Sequence, residues 1–271
     1  MRLLTLAAAA VATASAAFSG ETNTRAVYLS EAAYCTSSVK AWTCGPCGHA
    51  SGVTVQDVVS THSDFAYVAW DAKQEAIIVS FRGSSNIPNW IQDLSFTMTD
   101  YDGVSGARVH HGFYHSYLGM RNDILVLVND VYAKHQSASV IQVVGHSLGA
   151  AQAVFAAVDL GGQYEQMQIQ LYTFGQPRTG NDVWASHVGS VVGSDAFRTT
   201  HHNDPVPHVP PKILGFHHTA TEVWQADETS TETRLCDGSG EDKSCSDGQL
   251  APVNVGDHLD YLGIKMGGGG C

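Results

Sequence analysis

One serine, a few acids and a few histidines are the residues of this chain whose types and spacing could build a nucleophilic site. Gly145-His-Ser-Leu-Gly149 has the form GxSxG. In that pattern the serine stands on a sharp strand-to-helix elbow, and the flanking glycines let neighbouring backbones close in. The surroundings are those an elbow requires: Val140 to Val144 reads as a short apolar strand and Ala150 to Leu160 as an alanine-rich helix. Ser147 is therefore the candidate nucleophile. A serine hydroxyl attacks poorly at its free pKa and needs a base, itself oriented by a carboxylate, in the chain order Ser, Asp or Glu, His. Asp204, in THHNDPVPHVPP, follows the strand-like run Ala196 to Thr200, where sites of open α/β sheets collect. Asp182 and Asp195 fall at helix starts or turns, where capping is the simpler role. His258, in GDHLDYLG, precedes an apolar helical pattern and fits a loop over the sheet; His217 and His218 are its rivals. His201, His202 and His208 read as neutral, partly exposed side chains, and His146 as support for the elbow.

The elements that must position these residues follow from periodicity. Phe65 to Trp70 and Ala76 to Phe81 are β-branched and aromatic runs around DAKQE, a hairpin pattern. Between Phe113 and His135, Leu118, Ile124, Leu125, Val128, Val131 and Tyr132 recur at helical spacing. Two further strands, Ile169 to Phe174 and Ala196 to Thr200, enclose the helical pattern VWASHVGSVV. Strands alternating with helices predict an α/β fold with a mainly parallel sheet and helices on both faces. Ile87, Trp90, Ile91 and Leu94 stand at i, i+3, i+4 and i+7, one apolar face of a short helix.

The chain has 271 residues and a formal charge of -12, which argues against nucleic acid and anionic membrane surfaces as partners. Arg2 followed by the apolar run Leu3 to Ala17, with Ala14-Ser15-Ala16 as a cleavage pattern, reads as a secretory signal peptide over 1–17. Residues 18–271 then form one domain, with no linker or repeat to divide it, and no segment long and apolar enough to span a membrane. An exported chain can pair its six cysteines. WTCGPCG, Trp42 to Gly48, resembles a disulfide oxidoreductase loop, but neither flank supplies the buried strand and following helix that would activate its first thiol. A structural bridge is the better reading of Cys44 and Cys47 than thiol–disulfide exchange.

SFRGSSN, IPNWIQDL, GHSLGA, FGQPRTGN, HHNDPVPHVPP and DHLDYLG, in this order and spacing, resemble the secreted fungal class 3 lipases over nearly the whole chain after the leader. The resemblance implies an α/β-hydrolase fold in which Ser147, Asp204 and His258 are a catalytic triad. It also implies that Ser84 and Leu148 supply oxyanion-hole N–H groups, and that the helix bearing Ile87, Trp90, Ile91 and Leu94 is a lid, starting three residues after Ser84. The expected enzyme is a secreted, monomeric lipase acting on acylglycerols at a lipid–water interface, without metal or cofactor. Feruloyl esterases, a branch with a more polar flap and usually threonine at the position of Ser84, are the alternative. Ala151 stands where many relatives have glycine, and the acidic CDGSGEDKSC, Cys236 to Cys245, is similar to the esterase side. Six cysteines permit 15 pairings. The resemblance suggests Cys35 with Cys271 and Cys44 with Cys47, leaving Cys236 with Cys245.

Overall fold

A computed structural model describes residues 18–250 and 252–271; the leader reading, over 1–17, lies outside them. Eight strands make the main sheet: β1 Val53–Ser60, β2 Phe65–Asp71, β3 Ala76–Phe81, β6 Val140–His146, β7 Gln168–Phe174, β8 Ala196–His201, β9 Glu222–Gln225 and β10 Arg234–Leu235, in that spatial order. β1 to β3 are antiparallel, β3 through β9 run parallel, and β10 closes the far edge antiparallel. Two small ladders, β4 Met98–Asp100 with β5 Arg108–His110 and β11 Asp260–Tyr261 with β12 Ile264–Lys265, lie apart from it.

Alternation along the strands sends side chains into two cores. Ala66, Val68, Ile77, Val79, Phe81, Ile141 and Val143 face one side, where α3 His111–Lys134, α4 Leu148–Gln163 and α5 Asp182–Val192 pack. Phe65, Tyr67, Ala69, Ile78, Val144, Tyr172 and Phe174 face the other, against α1 Gly20–Ala32. The parallel α/β layers and the hairpin are therefore as the periodicity predicts. α1 is an addition: Ser19 caps it, accepting from Thr22 N–H (3.2 Å), and its buried face mixes Ala26, Val27 and Leu29 with Asn23, Ser30 and Glu31. That mixture hides the helix from a hydrophobic pattern. The apolar helical pattern after His258 is corrected. α6 Val255–His258 ends there, and Leu262 and Gly263, both at positive φ, turn the chain into the β11–β12 hairpin.

Disulfides join Cys35 to Cys271, Cys44 to Cys47 and Cys236 to Cys245. Cys47 lies in a short 3-10 turn, Pro46–His49, not at a helix following a central strand. The first bridge spans 236 residues, and Glu31 adds a second hold on the tail by accepting from the N–H groups of Gly268 (3.0 Å) and Gly270 (3.2 Å). Changing Cys35 and Cys271 together to serine is expected to lower the unfolding free energy by about 5.5 kcal/mol on the chain-entropy account. A loss of less than about 1.4 kcal/mol in the free energy from guanidinium unfolding would show that the tail is held without it.

Candidate active site

The carboxyl ends of the parallel strands lie level. Phe81 pairs with Gly145, His146 with Phe174, and Phe174 with Thr199. Ser84, Ser147, Gly175 and Asp204 thus leave the sheet along one edge, the position where open α/β sheets hold their sites.

Ser147 sits between β6 and α4 with φ 60° and ψ -127°, a conformation that costs a non-glycine residue about 1–3 kcal/mol and persists only where its surroundings enforce it. The glycines explain how. A Cβ on Gly145 would lie 2.3 Å from the Gly149 carbonyl oxygen, and one on Gly149 would lie 2.3 Å from that of Phe81. Ser147 N–H donates to the Phe174 carbonyl (2.9 Å), locking the elbow to β7. A Cβ on Gly83 would be 3.0 Å from that of Ser147, so the chain leaving β3 brings Ser84 directly beside the elbow. Leu148, first residue of α4, has no carbonyl a turn before it for its N–H, which points out of the helix's positive end.

His258 reaches the same place. Its Nδ1 lies 2.8 Å from Asp204 Oδ2, and both side chains are buried. A Cβ on Gly175, next to the Phe174 that holds Ser147, would lie 2.6 Å from the His258 ring. His146 Nε2 lies 2.8 Å from the His258 carbonyl oxygen, and its Nδ1 lies 2.6 Å from the Tyr34 hydroxyl. Burial, then the neighbouring His258, pushes the His146 pKa well down, so His146 is a neutral ring that accepts from Tyr34 and donates to the His258 carbonyl. His146 thus ties the Tyr34 hydroxyl to the His258 backbone. Asp204 also accepts from Tyr261 Oη at the same Oδ2, and from Val206 N–H at Oδ1 (2.8 Å). Burial and the nearby Asp204 charge raise the Tyr261 pKa well above its ordinary value, keeping it a donor. Ser147 Oγ and His258 Nε2 are buried without a hydrogen-bond partner among the described residues.

The rivals are occupied elsewhere. His218 Nε2 is 2.6 Å from the Pro207 carbonyl and His217 Nδ1 is 2.8 Å from that of His218. His201 is buried, not partly exposed, and bonds the carbonyls of Asp257 and Asp227. Asp182 opens α5, but Asn181 is its cap, accepting from Trp184 N–H (3.0 Å); Asp195 accepts from Gln168 (2.9 Å).

Ser84 and Leu148 line a cavity of about 640 Å³ together with Arg82, His110, Phe113 and Ser116. Trp90 and Asp93 of α2 Ile87–Asp93, a helix capped by Asn86, and the following Leu94 also border it. Ile87 is buried, Ile91 half-buried, and Trp90 and Leu94 pack on the core, Trp90 stacking on Phe113 at 5.9 Å between ring centres. Asn89 and Gln92 are exposed. Among the described residues one trio, Glu222, Cys236 and Cys245, gathers metal-ligating atoms, but its sulfurs are spent in a disulfide.

The model of the family described as lipase (class 3) matches residues 78–214. The lipase of Rhizomucor miehei is 37% identical over 261 residues, covering 93% of this chain and 71% of that one. The chain belongs to the class 3 lipase family. A secreted mono- and diacylglycerol lipase of Fusarium solani is 35% identical, over 78% of this chain and 64% of its own length. Among solved structures, the lipase of Rhizopus microsporus var. chinensis superposes with a TM-score of 0.86 at 32% identity, over 92% of this chain and 88% of that one. A triacylglycerol lipase whose catalytic centre is described as a serine protease triad superposes at 0.85 and 35% identity, over 91% of this chain and 95% of that one. The fold of this class 3 lipase is thus the α/β-hydrolase fold of the fungal lipases. Sequence reading missed Tyr34 and Tyr261, whose roles depend on contacts across 112 and 57 residues.

Proposed function

We propose that this lipase hydrolyses acylglycerol esters through an acyl-enzyme, with Ser147 as nucleophile, His258 as base and Asp204 as the carboxylate that orients it. His258 Nε2 takes the Ser147 proton as Oγ attacks the carbonyl, then gives it to the leaving alcohol; water repeats the two steps and releases the acid. The N–H groups of Ser84 and Leu148 receive the developing oxyanion, each worth about 3 kcal/mol of transition-state stabilisation. The arrangement that carries this reading is the buried His258–Asp204 pair beside an elbow whose hydroxyl, like His258 Nε2, has no hydrogen-bond partner among the described residues.

α2 acts as a lid. Trp90 and Leu94 border the cavity and Ile87 is buried, and lipid would solvate these side chains in place of the protein. Each large apolar side chain so transferred gains roughly 1.5 to 3 kcal/mol over exposure to water. Residues 18–271 work as one domain and as a monomer, after a leader over 1–17 is removed on export. Three disulfides, which persist in oxidising compartments, support an extracellular site of action.

The test is the hydrolysis rate of tributyrin as its concentration crosses the solubility limit, beside a soluble feruloyl methyl ester and a Ser147→Ala control. A jump in rate at the emulsion, absent from the control, is expected. A hyperbolic rate on the feruloyl ester with no response to the interface would make this an esterase and α2 a fixed flap.

A further inference from the structure

The loop that carries Asp204 is gripped by groups the acyl-transfer chemistry does not use. Arg178, buried in the FGQPRTGN loop after β7, donates its backbone N–H to the Val209 carbonyl (2.9 Å). Its Nη1 donates to the carbonyls of His208 (2.8 Å) and Pro210 (3.2 Å). His218 Nε2 bonds the Pro207 carbonyl (2.6 Å). Burial and the charges of Arg198 and Arg178 push the His218 pKa well down, so that ring is neutral and donates there. Four successive carbonyls, beginning three residues past Asp204, are thereby held from one side.

Both holders meet one acid. Glu241 accepts from Arg178 Nε at Oε1 (2.7 Å) and from Nη2 at Oε2 (2.8 Å), the bidentate fork that fixes a guanidinium plane. The same Oε1 accepts the His218 N–H (3.0 Å). Burial opposes ionisation of Glu241, but the hydrogen bonds and charge of Arg178 prevail and hold its carboxyl down at about 2. Glu241 is presented by the acidic loop closed by Cys236–Cys245. That loop is seated tightly: the Gly240 carbonyl accepts from Arg198 Nη2 (2.9 Å), and a Cβ on Gly240 would lie 2.5 Å from the His218 carbonyl oxygen.

We propose that Glu241 is a positioning residue for the triad's acid: through Arg178 and His218 it fixes the carbonyls of residues 207–210, and with them the Asp204 carboxylate. The Cys236–Cys245 bridge keeps Glu241 in place, so the acidic loop is part of the catalytic support. This rests on the triad reading above. It predicts a signature that a purely stabilising role does not. If Asp204 is set loose, the imidazole loses the carboxylate that orients it, and kcat per active site falls while KM holds. The Glu241 and cysteine substitutions below leave Asp204, Tyr261 and His146 in place.

The experiment measures kcat and KM on p-nitrophenyl butyrate, per active site counted by phosphonate titration. It compares the wild type, Asp204→Asn, Glu241→Ala, Glu241→Gln and the double change Cys236→Ser with Cys245→Ser. Glu241→Ala is expected to lower kcat about 10- to 100-fold, the scale of a displaced catalytic group, with KM within about twofold. Glu241→Gln, which keeps one acceptor for Arg178, is expected to fall between it and the wild type. The serine pair is expected to lower kcat in the same way. Fewer titratable sites that each turn over at the wild-type rate would overturn the proposal. If Glu241→Ala does not fold, the serine pair decides, since it removes no buried charge. A wild type without turnover, or Asp204→Asn indistinguishable from it, would bring down the triad reading and this proposal together; an active wild type with a slowed Asp204→Asn but Glu241 variants at the wild-type kcat would bring down this proposal alone.

Discussion

Ser147→Ala is expected to lower kcat on a soluble ester by about a millionfold, leaving only what the oxyanion donors and substrate binding supply. The size follows from the chemistry. Without Oγ no acyl-enzyme forms, and water must attack the ester directly from a site shaped for a serine oxygen. The change is gentle to the fold, since Ser147 Oγ has no hydrogen-bond partner to lose among the described residues. Alanine keeps the Cβ already accommodated at φ 60°. Two readings check it together: the rate on p-nitrophenyl butyrate and covalent labelling by a fluorophosphonate probe. Loss of both, with an unchanged unfolding midpoint, is the expected result. A variant that still labels, or that keeps a rate within about tenfold of wild type, would place the nucleophile on another residue.

Asp204→Asn is expected to cost about 10,000-fold in kcat while leaving most of the substrate binding intact. The carboxylate accepts from His258 Nδ1, Tyr261 Oη and Val206 N–H, an acceptor for three donors. An asparagine can turn an NH2 group toward Nδ1, which favours the tautomer whose Nε2 carries the proton and cannot receive one from Ser147. The check is kcat and KM of the variant beside the wild type, and a kcat within about tenfold of the wild type would mean that Asp204 does not orient the base.

Ser147 was legible in sequence because everything an elbow needs is local: a strand, two glycines and a small-residue helix within 21 residues of chain, Val140 to Leu160. Asp204 and His258 were narrowed but not chosen by their spacing, since their meeting depends on where β8 and α6 end. The family resemblance supplied the choice. β1 gives no clear strand pattern in sequence because it is an edge strand with a bulge between Val55 and Asp57, which breaks the period-2 signal. α1 was missed because polar side chains share its buried face. Arg178, Arg198, Glu222 and Glu241 look like ordinary surface charges in a linear chain. Only the folded arrangement buries them against one another, and a buried charge is tolerated only with its partner in place.

The bridge from Cys35 to Cys271 turns all but the first part of the chain into a covalent ring. A protease that cuts one exposed loop between those residues opens the ring without releasing a fragment, and two cuts are needed before any piece can leave. The nicked molecule keeps both cut ends tethered to the same sheet, where the remaining contacts can hold them in register. This converts the first proteolytic hit from a loss of part of the sheet into a scar.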